Sequence, residues 1–110
     1  MKHWNNVNTV LFSALLLLLA ALPMPLLAKG DPAAGQSKAQ VCQACHGLDG
    51  KSIAPIYPNL AGQHEDYLVK ALADYRAGRR TNAIMAPMAV NLSNQDIEDL
   101  AAWFASLEGL

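Results

Sequence analysis

Both cysteines of the chain lie in one five-residue motif, Cys42-Gln-Ala-Cys45-His46. On a helical turn, cysteines three positions apart lie on the same side, so each thiol can form a thioether to a vinyl group of haem. The histidine that follows can then place its imidazole beneath the iron as the proximal ligand. The motif therefore predicts covalent attachment of one c-type haem through Cys42 and Cys45, with His46 bound to the iron.

Three other interpretations of this motif fit the rest of the sequence less well. A thioredoxin-like site needs a βαβ setting, and no segment alternates apolar and polar residues as a half-buried strand does. A zinc site needs two further ligands, and beyond residue 28 the one other histidine is His64. A plain disulfide between Cys42 and Cys45 explains neither His46 nor the long loops around it.

The first 28 residues have the pattern of a secretory signal peptide. A positively charged start precedes the apolar run Val10–Leu22, and the segment ends with a proline-containing stretch at Ala28. We expect cleavage after Ala28 and a periplasmic domain of residues 29–110. The alternative is a retained membrane anchor, although Pro23 and Pro25 would break the last turns of a span that needs about 20 residues.

The composition describes one small globular domain. With 53% apolar and 15% charged residues, the 110-residue chain is too apolar to be disordered. A formal net charge of −1 with interspersed signs excludes the basic face that nucleic-acid binding requires. A domain of this size is marginally stable on side-chain packing alone, and a bound haem would complete its core.

The helical signals beyond residue 28 predict three main helices joined by long loops. Asp31-Pro32 is typical of a helix start, and this helix is expected to run to about Val41. Apolar periodicity predicts a second helix from the Gln63–Asp66 region to Gly78. The third is expected to begin at the capping sequence Ser93-Asn-Gln-Asp96 and to end near Leu107. Long loops in so small a domain are expected to wrap around something.

The candidates for the second axial ligand of the iron are few. Beyond residue 28 the methionines are Met85 and Met88, which flank Pro87 in a segment that we expect to be an extended loop. Both methionines cannot bind the same face of the iron, so one of them must pack in the core. Ligation by His64 and an open, five-coordinate iron are the alternatives.

With these features the sequence resembles the bacterial class I cytochromes c. It is most similar to a single domain of the two-domain periplasmic cytochromes of the c-four type, although it contains one haem motif where those contain two. The similar segments are Gly30–Gly35, Cys42–Gly47, Pro58–Gln63, Tyr67–Leu68, Gly78–Arg79, Met85–Met88, Leu92–Ser93 and Trp103–Phe104.

The resemblance implies an all-α class I cytochrome c fold, with three main helices and long loops wrapped around one covalently bound haem. It implies that the Nδ1–H of His46 donates to the carbonyl of Pro58, and that Met85 rather than Met88 is the distal ligand. It also implies that the first and last helices cross where Gly35 allows a close approach to Trp103 or Phe104.

Motif and resemblance together predict an electron carrier rather than an enzyme. A periplasmic monohaem cytochrome of this kind would pass single electrons between redox proteins, either membrane respiratory complexes or periplasmic dehydrogenases and oxidases. The alternatives are a haem c subunit of a larger periplasmic oxidoreductase and a haem-based ligand sensor. We expect a monomer that contacts the membrane itself only if residues 1–28 are retained. Candidate contacts for partners or for the haem propionates are Lys38, Lys51, Arg79 and Arg80, each of which is more often a solvated surface charge.

Overall fold

The computed structural model describes residues 29–110, and all regular secondary structure in this part of the chain is helical. Its helices are α1 (Pro32–Lys38), α2 (Gln40–His46), α3 (Glu65–Ala77), α4 (Met85–Ala89) and α5 (Asn94–Ser106). The predicted all-α class is confirmed. Over the same range, no helix is long and apolar enough to cross a membrane. The predicted signal peptide, residues 1–28, lies outside the described residues.

The first predicted helix is two helices in the structure. Its start is confirmed, because the side chain of Asp31 accepts a hydrogen bond from the backbone N–H of Ala33 at 2.9 Å. The prediction that one helix continues to Val41 was wrong, since α1 ends at Lys38 and a second helix, α2, begins at Gln40. At the junction, the N–H of Cys42 bonds the carbonyl of Ala39 at 2.9 Å, a tighter turn than that of an α-helix. The haem motif therefore lies on a helix of its own.

The two longer helices have the predicted ends. Helix α3 stops at Gly78, whose φ of 76° is left-handed. Helix α5 begins with a complete capping box, in which the hydroxyl of Ser93 accepts from the N–H of Asp96 at 3.0 Å and the Asp96 carboxylate accepts from the N–H of Ser93 at 2.9 Å.

The segment around Pro87 is helical, so the expected extended loop was wrong there. Helix α4 spans five residues and contains Pro87 in its first turn, where a missing N–H breaks no hydrogen bond within the helix. The carboxamide oxygen of Asn82 accepts from the N–H groups of Ile84 and Met85, both at 2.9 Å. Asn82 thus stabilises the start of α4, which carries both candidate methionine ligands.

Helices α1 and α5 cross at Gly35. A Cβ atom at this position would lie 1.9 Å from the carbonyl oxygen of Asp99 and 2.8 Å from the Cβ of Trp103, so no other residue fits without moving the helices apart. The expected close approach is confirmed, with Trp103 as the aromatic residue at the crossing. Phe104 lies in the core instead, at 4% exposure.

A buried carboxylate, which the sequence analysis did not identify, locks this crossing. Asp99 is 3% exposed, and its Oδ1 accepts from the backbone N–H of Asp31 and from Nε2 of Gln95, both at 2.8 Å. Its Oδ2 lies 2.6 Å from Nζ of Lys38, which also lies 2.9 Å from Oδ1 of Asp96. The N–H of Asp31 and the ammonium of Lys38 lower the pKa of Asp99. Lys38 and the capping Ser93 lower the pKa of Asp96 to about 2.

Replacing Asp99 by Asn should destabilise the domain, because Lys38 loses its buried counter-charge and the N–H of Asp31 loses a charged acceptor. Charge-assisted hydrogen bonds of this kind predict a loss of about 2 kcal/mol in the free energy of unfolding. Urea denaturation of the haem-containing protein at neutral pH measures this loss of stability. Glu108→Gln, at an exposed position, removes the same charge and should leave the urea midpoint unchanged. Equal midpoints for the two variants would contradict the assigned role.

The same network predicts loss of stability in acid. The folded-state pKa values of Asp96 and Asp99 lie below the unfolded value of about 3.9. Their contribution to the free energy of unfolding is therefore complete above pH ~4. It is lost as the pH falls through the folded-state pKa values, near pH 2 for Asp96. Between these pH values the stability of Asp99→Asn should fall less steeply than that of the wild type.

Candidate haem-binding site

Helix α2 presents the three residues of the C-x-x-C-H motif. Cys42 and Cys45 are half-buried and are not joined by a disulfide, and burial raises the pKa of the Cys42 thiol. His46 is the last residue of the helix and is 6% exposed. Gly47 ends α2 with a φ of 82°, and a Cβ there would lie 1.9 Å from the carbonyl oxygen of Lys51. This glycine turns the following loop back against the motif.

The loop of residues 47–62, which returns to the motif, determines which ring nitrogen of His46 carries the proton. Nδ1 of His46 lies 2.8 Å from the carbonyl oxygen of Pro58, as the resemblance implied. A carbonyl can only accept, so the proton lies on Nδ1, and the lone pair of the neutral ring is on Nε2. The carbonyl of Gly50 anchors the loop by accepting from the N–H groups of Leu60 and Ala61, at 2.8 and 3.0 Å. The imidazole is thereby in the tautomer that binds iron through Nε2.

Most of the predicted site residues line one cleft. Its lining includes Cys42, His46, Pro58, Met85 and Met88. Apolar side chains from α3 and α5 supply much of the remaining wall, among them Leu68, Leu72, Leu100, Ala101 and Phe104. The lining does not include Cys45, although that residue lies one helical turn from Cys42, nor His64, the residue that precedes α3.

Helix α4 brings both candidate methionines to the cleft. Met85 is half-buried and its N–H is held by Asn82, whereas Met88 is 41% exposed. The greater burial and the fixed backbone favour Met85 as the ligand. The Asn82 cap was missed by the sequence analysis, although an asparagine three positions before a short apolar segment is a recognisable capping signal.

The four predicted surface cations have different environments. Lys38 borders the cleft but is paired with Asp96 and Asp99. Nε of Arg79 lies 2.8 Å from Oδ1 of Asp74. Lys51 lies in the loop 47–62 and is absent from the cleft lining, whereas Arg80 borders the cleft.

The residues of the cleft fit a haem. The walls are largely apolar, as a porphyrin ring requires, and they include an imidazole with its free lone pair on Nε2. Two thioether sulfurs border the same space, and α2 carries the two thiols that attachment to the vinyl groups requires. Within residues 29–110, no cluster of three or more His, Cys, Asp or Glu side chains could hold a separate metal ion.

Comparison with known families agrees with this chemistry. The family described as Cytochrome c matches residues 32–108. The chain belongs to the cytochrome c family. As a c-type cytochrome it carries haem c, attached covalently through Cys42 and Cys45 of its C-x-x-C-H motif.

The cytochromes to which the chain is similar include proteins of two lengths. It is 57% identical over 79 residues to cytochrome c4 of Pseudomonas aeruginosa, covering 72% of this chain and 39% of that protein. It is 51% identical over 82 residues to cytochrome c-554(548) of Halomonas halodenitrificans, covering 72% of this chain and 99% of that protein. The crystal structure of reduced cytochrome c4 from Pseudomonas stutzeri superposes with a TM-score of 0.70 at 49% identity, covering 74% of this chain and 47% of that one. The chain thus spans less than half the length of these two cytochrome c4 proteins. The class I cytochrome c fold is confirmed.

Proposed function

We propose that the chain carries single electrons between redox proteins, through a haem iron bound by Nε2 of His46 and the sulfur of Met85. The observation that carries this proposal is the cleft itself, an apolar space bordered by a tautomerically fixed imidazole and by a half-buried thioether. A bound haem supplies a one-electron change between ferric and ferrous iron. Sulfur and imidazole ligands in an apolar setting favour the ferrous state and raise the reduction potential.

Hydrogen bonds in two different loops would keep the ligand geometry fixed in both oxidation states. The carbonyl of Pro58 orients the imidazole of His46, and the carboxamide of Asn82 fixes the backbone of Met85. Two protein ligands would leave no open position for a substrate. This supports a carrier rather than an enzyme or a ligand sensor.

We propose the surface beside Cys45 as the contact for redox partners. The N–H of Ile53 bonds the carbonyl of Cys45 at 3.2 Å, which places the loop 47–62 next to the haem attachment point. The side chains of Ile53 and Ile56 in this loop are 68% and 79% exposed. A small exposed apolar surface of this kind suits brief contacts and rapid exchange of partners. The predicted signal peptide supports periplasmic partners and a mature chain beginning at Lys29.

The absorption spectra of the matured protein test the coordination of the iron. We expect low-spin ferric and ferrous spectra that carbon monoxide does not change, because both axial positions are taken. A high-spin spectrum that shifts with carbon monoxide would show an open position and favour the ligand sensor instead.

The assignment of Met85 predicts different outcomes for two single substitutions. Met85→Ala should abolish the weak absorption at the red end of the ferric spectrum that reports iron–sulfur ligation. Met88→Ala, on the same helix and at a more exposed position, is the matched control and should keep that band. The reverse result would make Met88 the ligand.

The Asn82 cap predicts a change in access to the distal side of the iron. Asn82→Ala removes two hydrogen bonds at the start of α4. We expect this to destabilise the helix by about 1 kcal/mol, which increases the fraction of molecules with Met85 displaced from the iron about fivefold. Imidazole titration of the ferric protein should show a similar gain in affinity. Asn59→Ala is the control, because it removes the 2.7 Å bond to the N–H of Ser52 in the other loop. Equal affinities for the two variants would contradict the role given to Asn82.

A further inference from the structure

Arg76, in the last turn of α3, donates two hydrogen bonds to the chain that connects α4 with α5. Its Nη1 lies 2.9 Å from the carbonyl oxygen of Leu92, and its Nη2 lies 2.7 Å from Oδ1 of Asn94, the first residue of α5. Both distances are those of well-formed N–H···O bonds, and the bonds use two nitrogens of one planar group. The half-buried guanidinium thus holds the connection at two points.

The two acceptors of Arg76 are neutral and distant in sequence. They lie 16 and 18 positions along the chain, whereas the carboxylate of Asp74 is bound by Lys70 and Arg79, which lie four and five positions away from it. Within residues 29–110, no salt bridge includes Arg76. Its charge instead strengthens hydrogen bonds to a carbonyl and a carboxamide oxygen. Arg76 therefore connects two parts of the fold, whereas Lys70 and Arg79 act locally.

The segment of residues 81–92, which carries both methionines, has few other connections to the domain. Among the helices of residues 29–110, α4 packs only against α3. The two bonds accepted by Asn82 lie within the segment, so they fix its shape and not its place in the domain. In the described part of the chain, one hydrogen bond joins this segment to residues outside it, and that is the bond from Arg76 to Leu92. The position of α4 against α3 therefore depends on Arg76 and on apolar packing.

Leu92 links this bond to the cleft. Its side chain lines the cleft and packs against the buried core cluster, while its carbonyl accepts from Arg76. Arg76 does not line the cleft itself, so it acts on the site through the backbone that follows α4. We propose that Arg76 is a positioning residue, which holds α4 against α3 and thereby keeps the sulfur of Met85 within reach of the iron. This inference rests on the ligation by His46 and Met85 set out under Proposed function.

Loss of the two bonds should let α4 move away from α3 while the rest of the domain stays folded. Arg76→Gln removes the charge and shortens the side chain, so that it no longer spans both acceptors. Because hydrogen bonds from a charged donor contribute more than neutral ones, the ferric protein should bind imidazole about tenfold more tightly. Lys70→Gln is the matched control, since it removes the same charge from an exposed position of the same helix. It should leave the imidazole affinity unchanged.

Urea denaturation followed by two signals separates positioning from general stability. The ferric iron–sulfur band reports on Met85, and far-ultraviolet circular dichroism reports on all the helices. In Arg76→Gln the band should disappear at a lower urea concentration than the helical signal, because α4 moves before the domain unfolds. In Lys70→Gln the two midpoints should be separated as in the wild type. A parallel fall of both midpoints in Arg76→Gln would show a purely structural role and overturn the proposal.

Asn94→Ala removes one of the two acceptors and provides the test if Arg76→Gln does not fold. Its gain in imidazole affinity should be smaller than that of Arg76→Gln, and it should add nothing in the Arg76→Gln background, because the two side chains share one contact. Equal affinities in both single variants and the wild type would overturn the positioning role. In that case, a wild-type iron–sulfur band that Met85→Ala abolishes would show that the proposed ligation still holds. A wild type without the band would contradict the ligation, and with it this inference.

Discussion

The contact between the backbones of α1 and α5 at Gly35 is the constraint on which the rest of the domain depends. Because no side chain separates the helices there, the carboxylate of Asp99 reaches both the N–H of Asp31 and the ammonium of Lys38. Ala39, which directly follows α1, is buried in the same cluster as Leu100 and Phe104 of α5. The crossing therefore determines where α2 begins, and with it the position of the thiols and the imidazole.

The core and the cleft share their residues. Leu68, Leu100, Ala101 and Phe104 belong to the buried cluster and also line the cleft. A haem in that cleft covers the apolar side chains that face it, so haem binding and formation of the core contribute to the same free energy. This coupling is how a domain of such small size gains the apolar contacts that its own side chains do not provide.

The sequence was most informative where chemistry or capping is local. Cys42, Cys45 and His46 lie within five residues of sequence, and the start of α5 follows from a capping box within four residues, Ser93–Asp96. The break at Ala39 was not predictable in this way, since Ala39 is buried in a cluster with residues some sixty positions later in the sequence. Asp99 was missed for the same reason, because nothing near it in sequence indicates that its partners lie at the other end of the domain. Helix α4 was not predicted, since the segment around Pro87 was expected to be an extended loop. A proline breaks the interior of a helix but is compatible with its first turn, where Pro87 lies.

The basic side chains of the domain differ in what they contact. Lys38, Lys70 and Arg79 contact carboxylates, so their fields largely cancel at a distance and their effect is on local structure. Arg80 is held by aromatic residues instead, and its field is not cancelled by an adjacent acid.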